Sequence, residues 1–218
     1  MSAAPAPGAP IVFDLDGTLV LSEHIHRQTW FRFFDDWGAR IDEDTYRNRF
    51  VGRRAADALP EVDGPWRDTP LEELVGELAE HSTGLAEQVR PVPGATALLT
   101  ALAGRGHRLA VVTSARRKYA ERVLDRVLGA APLVGFLVTA GDVTRGKPDP
   151  EGYLTACRRL AADPGDCWAF EDSPAGVSAL VAAGIGTIVG VCSTATPAEL
   201  VAAGAHRTVP DLRAQAPV

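Results

Sequence analysis

From residue 89 onward, short apolar runs of strand length alternate with segments of helix length, and this rhythm admits few architectures. The run 108–113 (RLAVVT) reads as a buried strand, and 116–128 as the helix after it. Residues 136–139 give a second strand. A helix over 150–162 follows, with Asp149 as its N-cap and Pro150 in its first turn. A third strand, 167–170, leads to a helix over 174–183 that Gly184 stops. A fourth strand, 187–191, precedes a short helix over 197–203. Strand, helix, strand repetition predicts a parallel sheet with helices on both faces, an α/β fold. The N-terminal run Ile11-Val12-Phe13 is a strand of the same type.

Between 22 and 88 the pattern changes, and no apolar run has strand character. Trp30, Phe33, Phe34 and Trp37 recur at helical spacing, as do Leu71, Leu74, Leu78 and Leu85. This predicts an all-helical insert whose aromatic stripe is its core. The expected layout is a flexible leader over 1–10, an α/β core over 11–21 and 89–218, and a helical domain over 22–88. Hinges are expected at 19–22 and 89–93.

Composition narrows the function. The 218 residues are 46% hydrophobic, enough for a large core. Net charge is −6 with no basic stripe, which argues against a nucleic-acid partner. No run approaches the ~18 apolar residues of a membrane span. The Ala/Pro-rich leader lacks the basic and apolar regions of a secretory signal. Cys157, Cys167 and Cys192 show no ligand spacing, and their odd number fits reduced thiols in the cytoplasm. The oligomeric state stays open, a monomer being compatible with all of this.

The exit of the first strand carries chemistry. Asp14 and Asp16 stand at i and i+2, so they point to one side of an extended chain. A Gly17-Thr18 turn follows. Two close carboxylates repel unless a cation, a proton or phosphate chemistry uses them. Ligands of α/β proteins sit at such strand ends. An ordinary Asp-Gly turn is the competing reading. Thr113 and Ser114 end another strand, where a hydroxyl and the amides of a helix start can hold a phosphoryl oxygen. A plain N-cap by Ser114 competes there. Of 22 basic residues only Lys118 and Lys147 are lysines, and Lys147 lies between Gly146 and Pro148. A Lys in that setting suggests a need for a compact point charge. Glu171 and Asp172 end a further strand. Paired acids at two strand ends form the hard oxygen set that suits Mg²⁺. Helix capping by Asp172 or Ser173 fits the same residues.

These four segments, in this order, resemble the haloacid dehalogenase superfamily of phosphohydrolases, over nearly the whole chain after the leader. The insert resembles the small helical cap of the branch that includes β-phosphoglucomutase and small sugar or polyol phosphatases. The resemblance implies a doubly wound, Rossmann-like core with a mobile cap over the strand ends. It implies Asp14 as a nucleophile that forms an aspartyl-phosphate, and Asp16 as general acid/base. It implies Mg²⁺ held by Asp14, by the backbone carbonyl of Asp16 and by Asp172, with Glu171 either a further ligand or an orienting neighbour. Thr113 or Ser114 would bind the transferring phosphoryl, and Lys147 would balance its charge. The partner implied is a small phosphorylated metabolite.

Asp16 also discriminates within the resemblance. Dehalogenases and phosphonate hydrolases of the superfamily lack that second acid, and the latter use a cap lysine. Residues 22–90 contain no lysine at all. Gly52-Arg53-Arg54 looks more like the sugar and polyol phosphatases than the mutase, whose Lys and Arg positions hold Val51 and Ala55 here. Leu21 stands where many relatives carry Asp. The expected function is a Mg²⁺-dependent phosphatase of a small phosphorylated sugar or polyol, with Arg54 a candidate substrate contact. A sugar phosphomutase is the alternative, and a non-catalytic binding protein on the same fold a further one. Arg53 and Arg54 on a solvated helix face is the competing reading of that segment.

Overall fold

The computed structural model describes residues 5–82 and 88–215. Six parallel strands form one sheet in the order β5-β4-β1-β6-β7-β8. They are β1 (Ile11–Asp14), β4 (Leu109–Val112), β5 (Phe136–Val138), β6 (Trp168–Glu171), β7 (Thr187–Val191) and β8 (Arg207–Val209). The first strand sits in the middle, between β4 and β6, as its run of four buried residues requires. Alternation along it divides the core. Ile11 and Phe13 join one apolar cluster, with Val111, Phe170 and Val189. Val12 joins the other, with Ala110, Ala169 and Ile188. Helices cover both faces, so the α/β expectation stands.

Element bounds differ by one to three residues from those expected. The helix after β4 is α6 (Arg117–Arg122), which passes into a π-helical turn over Val123–Val127. The helix α7 (Glu151–Arg159) starts one residue late, yet Asp149 Oδ1 does accept the Glu151 N–H at 3.0 Å. The helices α8 (Pro174–Ala182) and α9 (Pro197–Ala203) lie where Pro at the first turn placed them. The helix α5 (Ala95–Gly104) and strand β8 were not foreseen. Arg207 and Thr208 are only half-buried and lack the apolar run of the central strands.

The chain leaves and rejoins the sheet through a short antiparallel ribbon. In it β2 (Val20–Leu21) pairs with β3 (Arg90–Pro91), so the two expected hinges lie side by side. Between them run α1 (Glu23–Asp36), α2 (Glu43–Arg49), α3 (Ala55–Ala58) and α4 (Leu71–His81). Their own apolar cluster holds Trp30, Phe33, Phe34, Phe50, Trp66, Leu74 and Leu78. Trp30 and Phe50 have ring centroids 4.5 Å apart, and Phe33 and Trp66 5.5 Å. Leu85 lies outside the described residues. Among these, no helix is long and apolar enough to cross a membrane.

Candidate active site

Because β1 pairs with both β4 and β6, their C-terminal ends are adjacent. That adjacency brings Asp14, Thr113 and Glu171 to one edge of the sheet. Asp14, Glu171 and Asp172 are buried, and each has a carboxylate oxygen within 4.8 Å of the others. Lys147, also buried, donates to Asp14 Oδ1 and, at 2.7 Å, to Glu171 Oε1. The second Asp14 oxygen, Oδ2, has no hydrogen-bond partner. Burial pushes the Asp14 carboxyl up to about 7; the Lys147 charge opposes that rise, and Glu171 and Asp16 add to it. Burial, then the charges of Glu171 and Asp14, raise Asp172 well above the usual carboxylate range.

This donor set fits a divalent cation. An orphaned buried carboxylate oxygen and a second crowded carboxylate are hard ligands whose mutual repulsion a cation would relieve. The Thr18 hydroxyl holds Asp172 Oδ1 at 2.9 Å. A side chain at Gly17, whose φ is +88°, would overlap the same carboxylate. Glu171 is differently placed. Its Oε1 accepts Lys147 and the Tyr153 hydroxyl, and its Oε2 accepts the Ser173 amide at 2.6 Å and hydroxyl at 3.0 Å. Four donors occupy both oxygens, which leaves Glu171 to orient Lys147.

Asp16 is held by several donors at once. Oδ1 accepts the Ser22 hydroxyl at 2.8 Å and the Tyr119 hydroxyl at 2.7 Å, with His26 Nε2 3.1 Å away. Oδ2 accepts the Thr113 hydroxyl at 3.2 Å. Burial raises the Asp16 carboxyl, but the His26 charge and the bonds from His26, Tyr119 and Ser22 outweigh it, and the net shift is downward. Burial likewise opposes charging of His26, and Asp16 reverses that, raising the imidazole. Sequence reasoning missed Ser22, His26 and Tyr119. The available signal was His26 itself, an ionisable residue one helical turn before the buried Trp30 on α1.

The remaining sequence-predicted residues separate. The Thr113 hydroxyl also accepts the Ala115 N–H at 3.0 Å, as a cap at the strand exit. Ser114 turns its hydroxyl to the Gly52 carbonyl at 3.0 Å, across to the helical segment. Arg54 is not on a solvated face and has no donor left for a substrate. Its Nε and Nη2 grip Asp57 at 2.6 and 2.8 Å. Nη1 donates to the carbonyls of Ala140 and Val143, and Nη2 to that of Thr144. All five N–H groups are thereby engaged. Asp57 Oδ2 in turn accepts the Gly146 N–H at 3.0 Å, next to Lys147. Arg53 pairs with Glu61 through two bonds of 2.7 and 2.6 Å. This guanidinium fork therefore ties α3 to the loop that delivers Lys147.

A cavity of about 470 Å³ opens over these acids. Its lining includes Asp14, Asp16 and Asp172 from the sheet edge and Trp30, Phe50 and Leu78 from the helical segment.

Comparison with known proteins agrees with this geometry. A model of the haloacid dehalogenase-like hydrolases matches residues 11–184. Validoxylamine A 7'-phosphate phosphatase of Streptomyces hygroscopicus subsp. limoneus is 43% identical over 176 residues, 80% of this chain and 81% of its own. Hexitol phosphatase A of Escherichia coli is 33% identical over 197 residues, 85% of this chain and 84% of its own. Among solved structures, a hydrolase from Pseudomonas syringae superposes with a TM-score of 0.82 at 26% identity, covering 94% of both chains. The chain belongs to the haloacid dehalogenase-like hydrolases.

Proposed function

We propose that the chain is a Mg²⁺-dependent phosphatase that hydrolyses a phosphorylated sugar or polyol through an aspartyl-phosphate on Asp14. The observation that carries this reading is Asp14 itself, buried at the exit of β1, with Lys147 on one oxygen and nothing on the other. A carboxylate in that state is aimed and has a free lone pair for phosphorus. The names of the relatives support the substrate class: validoxylamine A 7'-phosphate for one and a hexitol phosphate for the other.

Roles follow from the contacts. Asp14 attacks phosphorus, and Lys147 steadies it and offsets phosphoryl charge. Asp16 gives a proton to the leaving oxygen and later takes one from the attacking water. Thr113 lies beside Asp16 and borders the phosphoryl position; Ser114 binds the helical segment instead. Asp14, Asp172 and the Asp16 carbonyl would hold Mg²⁺, which would supply charge neutralisation between anionic nucleophile and anionic phosphate. Residues 22–88 act as a cap domain that closes over the strand ends and excludes bulk water. Three cysteines without a disulfide fit a cytoplasmic enzyme.

The mutase reading loses ground on one observation. A bisphosphorylated intermediate needs cations for its second phosphoryl group. Of the arginines that line the cavity, Arg53 is committed to Glu61 and Arg54 to Asp57 and three carbonyls, while Arg116 donates to the Val75 carbonyl. Phosphate release from a panel of hexose and hexitol monophosphates and validoxylamine A 7'-phosphate, with and without Mg²⁺, tests the proposal. Stoichiometric free phosphate from at least one is expected; isomerised sugar phosphate with little free phosphate would establish the mutase.

Arg54→Ala gives a separate prediction. Removing one side of a mostly buried ion pair strands Asp57, at a cost of about 2–4 kcal/mol. The Lys147 loop also loses its grip. Thermal unfolding should shift down, and kcat/KM should fall by a similar factor for a sugar phosphate and for an aryl phosphate. A loss confined to the sugar phosphate would restore Arg54 as a substrate contact.

A further inference from the structure

Tyr119 has no place in the reading above, yet its hydroxyl makes the shortest hydrogen bond to the Asp16 carboxylate, 2.7 Å to Oδ1. Tyr119 lies on α6, the helix that leaves the exit of β4. Thr113, at that same exit, holds the other oxygen, Oδ2, at 3.2 Å. The two oxygens of one carboxylate are thus fixed from one stretch of chain, seven residues long. Bonds at opposite oxygens set the plane of a carboxylate, and Tyr119 supplies the shorter bond of this pair.

The other donors come from elsewhere. Ser22 and His26 follow β2, at the start of the helical segment. They reach Oδ1, the same oxygen that Tyr119 reaches. The Ser22 and Tyr119 hydroxyls both donate to Oδ1, with His26 Nε2 3.1 Å away, which leaves the transferable proton to Oδ2. The Tyr119 ring is also wedged in place, edge-on to His26 with centroids 6.3 Å apart and planes at 69°. A phenol hydroxyl 2.7 Å from a carboxylate oxygen is the donor of that bond.

We infer that Tyr119 is a positioning residue for proton transfer by Asp16, holding the carboxylate so that Oδ2 delivers its proton to the leaving oxygen. This rests on the phosphatase reading. In the step concerned, an Asp14 oxygen forms a bond to phosphorus as the bond from phosphorus to the ester oxygen breaks. The proton on Asp16 Oδ2 passes to that ester oxygen, which departs as a neutral alcohol and leaves Asp16 ionised. In the return step water attacks phosphorus, Asp16 takes its proton, and Asp14 is freed as carboxylate. Tyr119 keeps its own proton throughout.

The consequence depends on the leaving group. An alkyl phosphate expels a strongly basic alkoxide and needs the proton, whereas p-nitrophenyl phosphate expels a stable phenolate and does not. The experiment compares kcat/KM for a hexitol phosphate and for p-nitrophenyl phosphate in wild type and in Tyr119→Phe. This ratio ends at phospho-enzyme formation, so the return step does not enter. The variant should lose roughly 10- to 100-fold on the alkyl ester and less than about threefold on the aryl ester. Tyr119→Leu, which also loses the ring, should melt lower yet show the same ratio of losses. Equal losses on both esters, or none, would overturn the assignment while leaving the phosphatase intact. A wild type that releases phosphate from neither ester, nor from the wider panel, would remove the phosphatase reading and this assignment with it.

Discussion

Asp14→Asn is expected to fold as the wild type does and to lose turnover by about four orders of magnitude or more. The amide cannot form an acyl-phosphate, so the loss is chemical. The substitution keeps shape and volume at a fully packed strand exit, where Val12 and Phe13 are buried without exposure. It also removes one of several crowded acids, since Asp14 is pushed up to about 7 by burial, with Lys147 opposing and Glu171 and Asp16 adding. Stability should therefore hold or rise. Purified Asp14→Asn with a wild-type melting curve and phosphate release above about 1% of wild type would take the nucleophile role away from Asp14.

Removal of divalent metal should have the next largest effect. Dialysis against EDTA should abolish phosphate release, and Mg²⁺ should restore it. Without a cation, Asp14 and Asp172 face each other and an incoming phosphate with Lys147 alone to offset them. Asp172→Ala should raise the Mg²⁺ concentration for half-activation by about 10- to 100-fold, because one hard ligand is lost. Glu171→Gln should act otherwise. It weakens the hold on Lys147, since Oε1 accepts Nζ at 2.7 Å, and leaves the Mg²⁺ requirement less changed. Full activity of the wild type in metal-free buffer would contradict the site.

Much of this site is written in local sequence, and the reason is the parallel sheet. Its strands end in short motifs, and each motif's place on the sheet edge follows from pairing alone. Asp14, Lys147, Glu171 and Asp172 converge as the strand-end pattern implies, although the strands that bring them together are far apart in sequence. What the sequence hid are contacts across the molecule. Ser22, His26 and Tyr119 meet Asp16 from 6, 10 and 103 positions away, and no local pattern joins them. Arg54 shows the limit most clearly. A Gly-Arg-Arg segment beside a cavity looks like an anion site, but the Ala140, Val143 and Thr144 carbonyls that occupy Arg54 belong to a loop some 90 residues on. Element type was legible where periodicity was strong, as in the aromatic stripe of α1. It failed where an element is short or half-exposed, as in β8 and the β2–β3 ribbon.

The central claim is a covalent bond between Asp14 and phosphorus. Rapid mixing of enzyme with a substrate from the panel, quenching, and borohydride reduction would convert a phosphorylated aspartate into homoserine. Peptide mass spectrometry should find that conversion at residue 14, dependent on substrate and absent from Asp14→Asn. Conversion at another carboxylate, or none during steady phosphate release, would contradict the mechanism.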